Sequence, residues 1–168
     1  MTSSVERNRS ANWSMYSTRS RLEGFLFSDG SIRIPFKVRT DASGKQLLSV
    51  QLTLLLQNVS EPGKTRYAKC IVDSGAVFTV FHASFAKRLG IDLSTSERAT
   101  VVGIGGSRSL WLHDILLHLP GGSVAVRAGF QEDLPVAGLL GMEGFFEHFR
   151  ITFDGAARQC ELERIFKS

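Results

Sequence analysis

The stretch CIVDSGAVFTVF, residues 70–81, places an aspartate between two apolar segments. Asp73 ends the first apolar run, and Ser74 and Gly75 follow before the chain becomes apolar again at Ala76. Asp-Ser-Gly alone is a common turn sequence, because Asp and Ser side chains bond nearby backbone and Gly adopts positive φ. A carboxylate between buried segments is costly without a partner, so this context favours a functional acid over a surface turn.

The segments on both sides of this stretch alternate apolar and polar residues, which is the pattern of half-buried strands. Two short helices are predicted, at residues 83–90 and over Met142–Phe149, where the apolar residues are spaced for one helix face. Many short strands without a repeating strand–helix unit predict an all-β barrel or sandwich. Strands are predicted at residues 31–38, 48–57, 66–72, 99–102, 110–119, 123–130, 150–153 and 158–163.

Composition indicates one domain with a polar tail. The chain has 168 residues, of which 43% are hydrophobic and 21% charged, so it is able to bury a core of its own. Residues 1–20 are polar and rich in Ser, Arg and Asn, which predicts a flexible tail before a single domain at residues 21–168. Cys70 and Cys160 lack metal-ligand spacing and are expected to be buried, reduced thiols, and neither a metal nor a cofactor is expected.

Charge and hydropathy limit the expected partners and location. The formal net charge is +4, but the basic residues are scattered with no run of five or more, which indicates a solvated surface and no nucleic-acid partner. The first ten residues lack the apolar segment of a signal peptide, and no apolar stretch approaches the roughly 18–20 residues that span a bilayer. The expectation is a cytoplasmic protein without a membrane partner.

Three motifs follow one another along the chain: Asp73-Ser74-Gly75-Ala76 with Thr79, Gly103-Ile104-Gly105-Gly106, and Leu139-Leu140-Gly141. Their order and spacing resemble those of the retropepsin-like aspartic proteases. The first motif resembles the family's active-site loop, the second the glycine-rich tip of its flap, and the third its apolar-apolar-glycine signature. With the two last predicted strands, the resemblance covers residues 31–164.

The resemblance implies a fold and a role for each motif. The fold would be an acid-protease-like closed barrel with one lobe per chain, a β-hairpin flap and a short C-terminal helix over Met142–Phe149. Asp73 would be the catalytic residue, and Ser74, Gly75, Ala76 and Thr79 would support its loop. The four residues from Gly103 to Gly106 would cover the substrate, and Leu139, Leu140 and Gly141 would lie beneath the loop.

The resemblance also implies a second copy of the chain. Aspartic protease chemistry requires two carboxyl groups that share one proton, and the sequence contains no second Asp-Ser-Gly or Asp-Thr-Gly. The partner of Asp73 would therefore be Asp73 of another copy across a twofold axis. The implied activity is hydrolysis of extended peptides with apolar side chains.

Two other functions stay open at this point. A catalytically silent barrel of the same fold could dimerise or bind peptides, although the intact Asp-Ser-Gly counts against it. A basic β-barrel could bind nucleic acid, but this predicts exposed aromatic residues in a basic groove, and most of the twelve Phe residues lie on apolar faces.

Overall fold

The structure of the protein, a computed structural model, describes residues 25–26, 30–103 and 106–165. The predicted tail at residues 1–20 lies outside the described residues, as do two residues of the predicted flap tip, Ile104 and Gly105.

The described residues form thirteen strands and one α-helix, α1 at Ser84–Leu89, together with 3₁₀ turns at Leu93–Thr95 and Phe146–His148. The all-β prediction is therefore confirmed. The strands are β1 Phe25–Leu26, β2 Ile32–Pro35, β3 Lys37–Thr40, β4 Gln46–Ser49, β5 Gln51–Asn58, β6 Thr65–Val72, β7 Val80–His82, β8 Glu97–Gly103, β9 Gly106–Leu119, β10 Gly122–Gln131, β11 Gly138–Leu140, β12 Phe149–Asp154 and β13 Gln159–Arg164.

Six strands close into a barrel in the order β10-β7-β11-β6-β5-β9, because β9 also pairs with β10. The β7–β10 and β6–β11 pairs are parallel, and the other pairs of the ring are antiparallel. Strand β8 extends the ring beside β9. A second sheet has the order β1-β2-β13-β12, and β3 and β4 form a separate two-stranded sheet.

The barrel interior is filled by the apolar residues that the alternation predicted. In β5, Leu52, Leu54 and Leu56 are fully buried, as are Phe81 and Phe130 across the barrel. Burying one such side chain contributes on the order of 1.5–3 kcal/mol, so this face accounts for much of the stability of the fold.

Strand β9 contributes side chains to two apolar clusters along its length. Near its start, Leu110 packs in a small cluster with Val80 and Leu134. Farther along, Ile115 and Leu117 point into the main core. The buried face thus changes from even-numbered to odd-numbered residues, and the start of β9 extends past the barrel as one arm of the β8–β9 hairpin.

The predicted helix over Met142–Phe149 was wrong, because only the short 3₁₀ turn forms there. Gly144 has φ of 89°, which ends any right-handed helical run. The apolar spacing reflects packing within an irregular segment, where the rings of Phe145 and Phe149 stack with centroids 4.8 Å apart and both side chains are buried. Met142, predicted to share that face, is 49% exposed.

The remaining local predictions gave mixed outcomes: one helix is confirmed, one predicted strand is two strands, and both cysteines are buried. The helix predicted at residues 83–90 is α1, which ends at Gly90 with φ of 72°. The strand predicted at residues 31–38 is interrupted at Phe36, so β2 and β3 belong to different sheets. Cys70 and Cys160 are buried free thiols, and burial raises the pKa of Cys160 to about 11.

Candidate active site

Asp73 follows the last residue of β6, in the middle of the barrel sheet. Val72 donates its N–H to the carbonyl of Val50 at 2.9 Å, and the N–H of Asp73 donates to the carbonyl of Leu140 at 3.0 Å. The backbone is therefore fixed on both sides up to the point where the loop departs. Such a position gives the carboxylate a rigid support while leaving it half-exposed.

The loop that follows turns tightly around the Asp73 carboxylate. Its Oδ1 accepts a hydrogen bond from the N–H of Gly75 at 2.9 Å, and the Asp73 carbonyl accepts one from Ala76 at 3.2 Å. A Cβ at position 75 would lie 3.2 Å from Oδ1, so glycine permits the close approach. Ser74 and Gly75 are exposed, and Ala76 is partly buried.

A second segment, residues 141–144, holds the loop from below by backbone hydrogen bonds. Met142 donates to the carbonyl of Ala76 at 2.9 Å, and Glu143 donates to that of Val77 at 2.8 Å. In return, Thr79 donates its N–H to the Glu143 carbonyl at 2.8 Å. We call these three hydrogen bonds, together with the hydrogen bond between Gly141 and Thr79 described next, the loop clasp.

Gly141 completes the clasp. Its N–H donates to the buried hydroxyl of Thr79 at 3.1 Å. A Cβ on Gly141 would lie 2.3 Å from the carbonyl oxygen of Phe78, so no other residue fits this crossing without moving backbone. Leu140 is fully buried and Leu139 partly buried on β11, beneath the loop. The structure therefore brings two of the three predicted motifs into contact.

The third motif lies on the β8–β9 hairpin. Gly103 ends β8 and pairs with Gly106, the first residue of β9, which has φ of 91°. Val102, next to the tip, is 79% exposed. The geometry is that of a β-hairpin, and a Cβ built on Gly103 would have open space around it.

Sequence reasoning missed the part played by residues 142–144. Their contribution is made by backbone atoms, which leave no side-chain pattern to recognise. The available signal in the sequence was the glycine at position 144. In the structure, a Cβ there would lie 3.0 Å from the carbonyl oxygen of Arg127 and 3.3 Å from the Thr79 side chain, which explains why a glycine is needed. A shallow depression behind the loop is lined by Phe78, Glu143 and His148 among others, and it does not include Asp73.

Other polar side chains form contacts that do not involve Asp73. Arg127 pairs with Glu97 and Asp114 on the exposed face of β8–β10. His118 bonds Gln57 and Ser123 at the opposite end of β9 from the hairpin tip. In the described ranges, no three His, Cys, Asp or Glu side chains are grouped to hold a metal, and no helix there is long and apolar enough to cross a membrane.

Comparisons with known proteins agree with this picture. Residues 62–143 match the family model of the aspartyl proteases, a range that contains Asp73, the hairpin and Gly141. Among solved structures, a retropepsin-like aspartic protease from Rickettsia conorii matches with a TM-score of 0.55 and 18% identity, over 79% of this chain and 90% of that one. No match was found among the curated proteins.

A second solved structure is the retroviral protease-like domain of Ddi1 from Leishmania major, at a TM-score of 0.41 and 15% identity, over 67% of this chain and 90% of that one. The predicted resemblance is confirmed by the family match, and the predicted fold by the likeness to the Rickettsia structure.

Proposed function

Starting from a chain that matches the aspartyl protease family over residues 62–143 and has a retropepsin-like fold, we propose that the protein is an aspartic endopeptidase. The observation that carries the proposal is the Asp73 carboxylate, which stands half-exposed at the end of β6 with Oδ1 held by the Gly75 N–H at 2.9 Å. A fixed and accessible carboxylate on a rigid strand end is what general acid–base chemistry requires.

The reaction needs a second carboxyl group beside the first. Two carboxyl groups about 3 Å apart cannot both ionise, so they share one proton. The ionised carboxylate takes a proton from water, while the protonated one donates to the oxygen of the scissile carbonyl. Water then attacks the amide without a covalent enzyme intermediate.

We propose that Asp73 of a second copy supplies the other carboxyl. The chain has one Asp-Ser-Gly, and a twofold interface brings identical residues together. Exposure of Ser74 and Gly75 supports this arrangement, because the loop tip is accessible to a partner. In this proposal Ser74 bonds across the axis, and Thr79 holds the loop from inside.

The substrate in this proposal is an extended peptide with apolar side chains. Val77 and Met142 lie beside the Asp73 loop and are 54% and 49% exposed, so they offer apolar contact near the scissile bond or the partner copy. The β8–β9 hairpin, with its tip at residues 103–106, would close over the peptide and exclude water. A cytoplasmic location is part of the proposal, supported by the free thiols of Cys70 and Cys160.

The decisive experiment compares Asp73→Asn with Asp133→Asn on an internally quenched apolar peptide. Asp133 is an exposed aspartate of the β10–β11 connection and serves as the matched control. We expect Asp73→Asn to abolish hydrolysis and to keep the wild-type sedimentation coefficient, while Asp133→Asn retains activity. A statine-type inhibitor should block the active forms.

Hydrolysis that survives Asp73→Asn would refute the proposed function. A wild-type chain that binds peptides and dimerises but never cleaves them would instead support the alternative, a catalytically silent module of the same fold.

A further inference from the structure

Strand β12 is an uncovered edge of the second sheet. The sheet has the order β1-β2-β13-β12, so β12 pairs with β13 on one side and with no described strand on the other. The pairing with β13 is continuous from Phe149 to Asp154, without a bulge and without proline. Proteins often blunt exposed edges with bulges or proline, so a regular edge that lacks both is suited to receive another strand.

The main-chain groups of alternate residues point outward from this edge. Ile165 donates its N–H to the carbonyl of His148 at 2.9 Å, one position before the first β12–β13 pair. Even-numbered residues of β12 therefore bond to β13, because bonded and non-bonded positions alternate along an antiparallel pair. The N–H and C=O groups of Ile151 and Phe153 face away from β13.

The side chains of β12 combine an apolar face with two opposite charges. Ile151 and Phe153 share the face that packs on the main core, where Ile151 is partly buried and Phe153 is 43% exposed. Arg150 and Asp154 lie on the other face, two residues on either side of Thr152, and both are exposed. Outward from Thr152, the strand thus carries an apolar residue and then a charge in each direction, and the two charges have opposite signs.

We propose that β12 pairs with β12 of a second copy of this chain, antiparallel and centred on Thr152. In this register Ile151 lies opposite Phe153 of the second copy, so the outward N–H and C=O groups of each residue meet those of the other. The apolar side chains of the pair cover each other. Arg150 lies opposite Asp154 of the second copy, and twofold symmetry forms each of these pairs twice.

Charge selects this register over the others. Outward groups meet only outward groups, so the neighbouring registers centre on Ile151 or Phe153. In each of these one charge faces Thr152, and no opposite charges pair within the strand. The registers beyond them place Arg150 opposite itself or Asp154 opposite itself. Opposite charges directly across a strand pair stabilise it and like charges destabilise it, so the register centred on Thr152 is favoured.

The proposed pairing places two barrels side by side. The twofold axis is perpendicular to the sheet, so the faces of both β12 strands that pack on a main core point to the same side. The inference rests on the proposed function for its link to catalysis, because a shared Asp73 pair needs two barrels held together. Residues 141–148 join the loop clasp directly to β12, which connects this edge to the Asp73 loop within each chain.

The test uses two charge reversals that complement each other. In Arg150→Asp protein, carboxylates would face carboxylates across the axis, and in Asp154→Arg protein, guanidinium groups would face guanidinium groups. In sedimentation velocity over a concentration series, we expect each to dimerise about tenfold more weakly than wild type. An equal mixture of the two should recover the wild-type dimer affinity, because both carboxylates of one chain then face the two arginines of the other.

Arg33→Asp is the matched control. Arg33 on β2 contacts Glu161 at 3.2 Å, as Arg150 contacts Glu163 at 3.2 Å, but Arg33 lies two strands away from β12. Its reversal breaks an equivalent ion pair within the chain and should leave the dimer affinity unchanged. Single reversals at positions 150 and 154 that dimerise as tightly as wild type would overturn the inference, as would folded variants whose mixture does not recover the dimer.

A main-chain variant covers the case in which a reversal unfolds the chain. The carboxylate of Asp154 accepts the N–H of Ala157 at 2.8 Å, so Asp154→Arg also removes a turn contact, and melting temperatures are measured for every variant. Phe153→Pro removes an outward N–H without removing a β12–β13 bond. We expect it to dimerise about tenfold more weakly than Phe153→Ala, and equal affinities would overturn the inference.

The outcomes separate this inference from the proposed function. If the wild-type chain dimerises and shows Asp73-dependent hydrolysis while the reversals and Phe153→Pro change nothing, the inference alone fails. If the mixture of reversals recovers the dimer but no Asp73-dependent hydrolysis is found, the protease function fails and the interface stands. If both are correct, hydrolysis returns with the dimer in the mixture. A wild-type chain that is monomeric at every concentration overturns both.

Discussion

The hydroxyl of Thr79 accepts a hydrogen bond from the backbone N–H of Gly141 at 3.1 Å, and both residues are buried. This bond joins the loop that carries Asp73 to the segment that follows β11. It gives Thr79 a structural role, because its side chain is buried and bonded to backbone.

Thr79→Val should therefore weaken the loop without changing side-chain size. The Gly141 N–H would be left buried without a partner, which costs about 1–3 kcal/mol of unfolding free energy. Thr79→Ser keeps the hydroxyl and is the matched control, with a smaller loss from the missing methyl. Urea unfolding of the three proteins gives the measurement, and a Thr79→Val protein as stable as wild type would contradict this role.

The sequence predicted the strands of the fold but not the irregular segment that begins at Met142. The strands followed from alternation, most clearly in β5, because one buried face imposes a period of two. The tight turn after Asp73 followed from its Asp-Ser-Gly sequence. The helix prediction failed at Met142 because the same apolar spacing arises in an irregular segment whose N–H groups bond the loop.

Closure of the barrel could not be predicted from the local pattern of apolar and polar residues. It depends on the parallel β6–β11 and β7–β10 pairs, which join residues far apart in the chain. Gly138 shows how such contacts leave only faint signals, since a Cβ there would lie 2.7 Å from the ring of Phe81. In the sequence this residue is one glycine among sixteen.

Val102 offers a test of the hairpin as a lid over the substrate. It is 79% exposed beside the tip, so Val102→Asp should leave stability within about 0.5 kcal/mol of wild type. If the hairpin closes over an apolar peptide, the new carboxylate should raise KM by about tenfold. Val59→Asp, at a distant turn, is the control for added charge. An unchanged KM would exclude Val102 from the lid.

His118 should make stability depend on pH. Burial lowers the pKa of His118, so protonation is less favourable in the folded than in the unfolded protein. Its stabilising contribution is present above the unfolded value of about 6.5 and is lost as pH falls below it. Its Nε2 lies 2.5 Å from Gln57 Oε1, and its Nδ1 lies 2.7 Å from the Ser123 hydroxyl.

The neutral ring satisfies both neighbours of His118, because Nε2–H donates to Gln57 and Nδ1 accepts from Ser123. Protonation adds a hydrogen to Nδ1 and forces the Ser123 hydroxyl to turn away. We expect His118→Gln to reduce the loss of melting temperature between pH 7 and pH 5. His113→Gln removes a histidine from the same strand as a control. An identical pH dependence in wild type and His118→Gln would refute this assignment.

Mixing experiments test whether each active site needs Asp73 from two copies. If wild-type and Asp73→Asn chains exchange freely, only wild-type pairs are active, so an equal mixture should show about one quarter of the activity of the same total wild-type protein. A site complete within one chain would give about one half. An equal mixture of wild-type and Asp133→Asn chains should keep the activity of the same total amount of wild-type protein. Exchange is verified by co-purifying differently tagged chains, and activity that stays proportional to the wild-type fraction after exchange would refute the shared carboxyl pair.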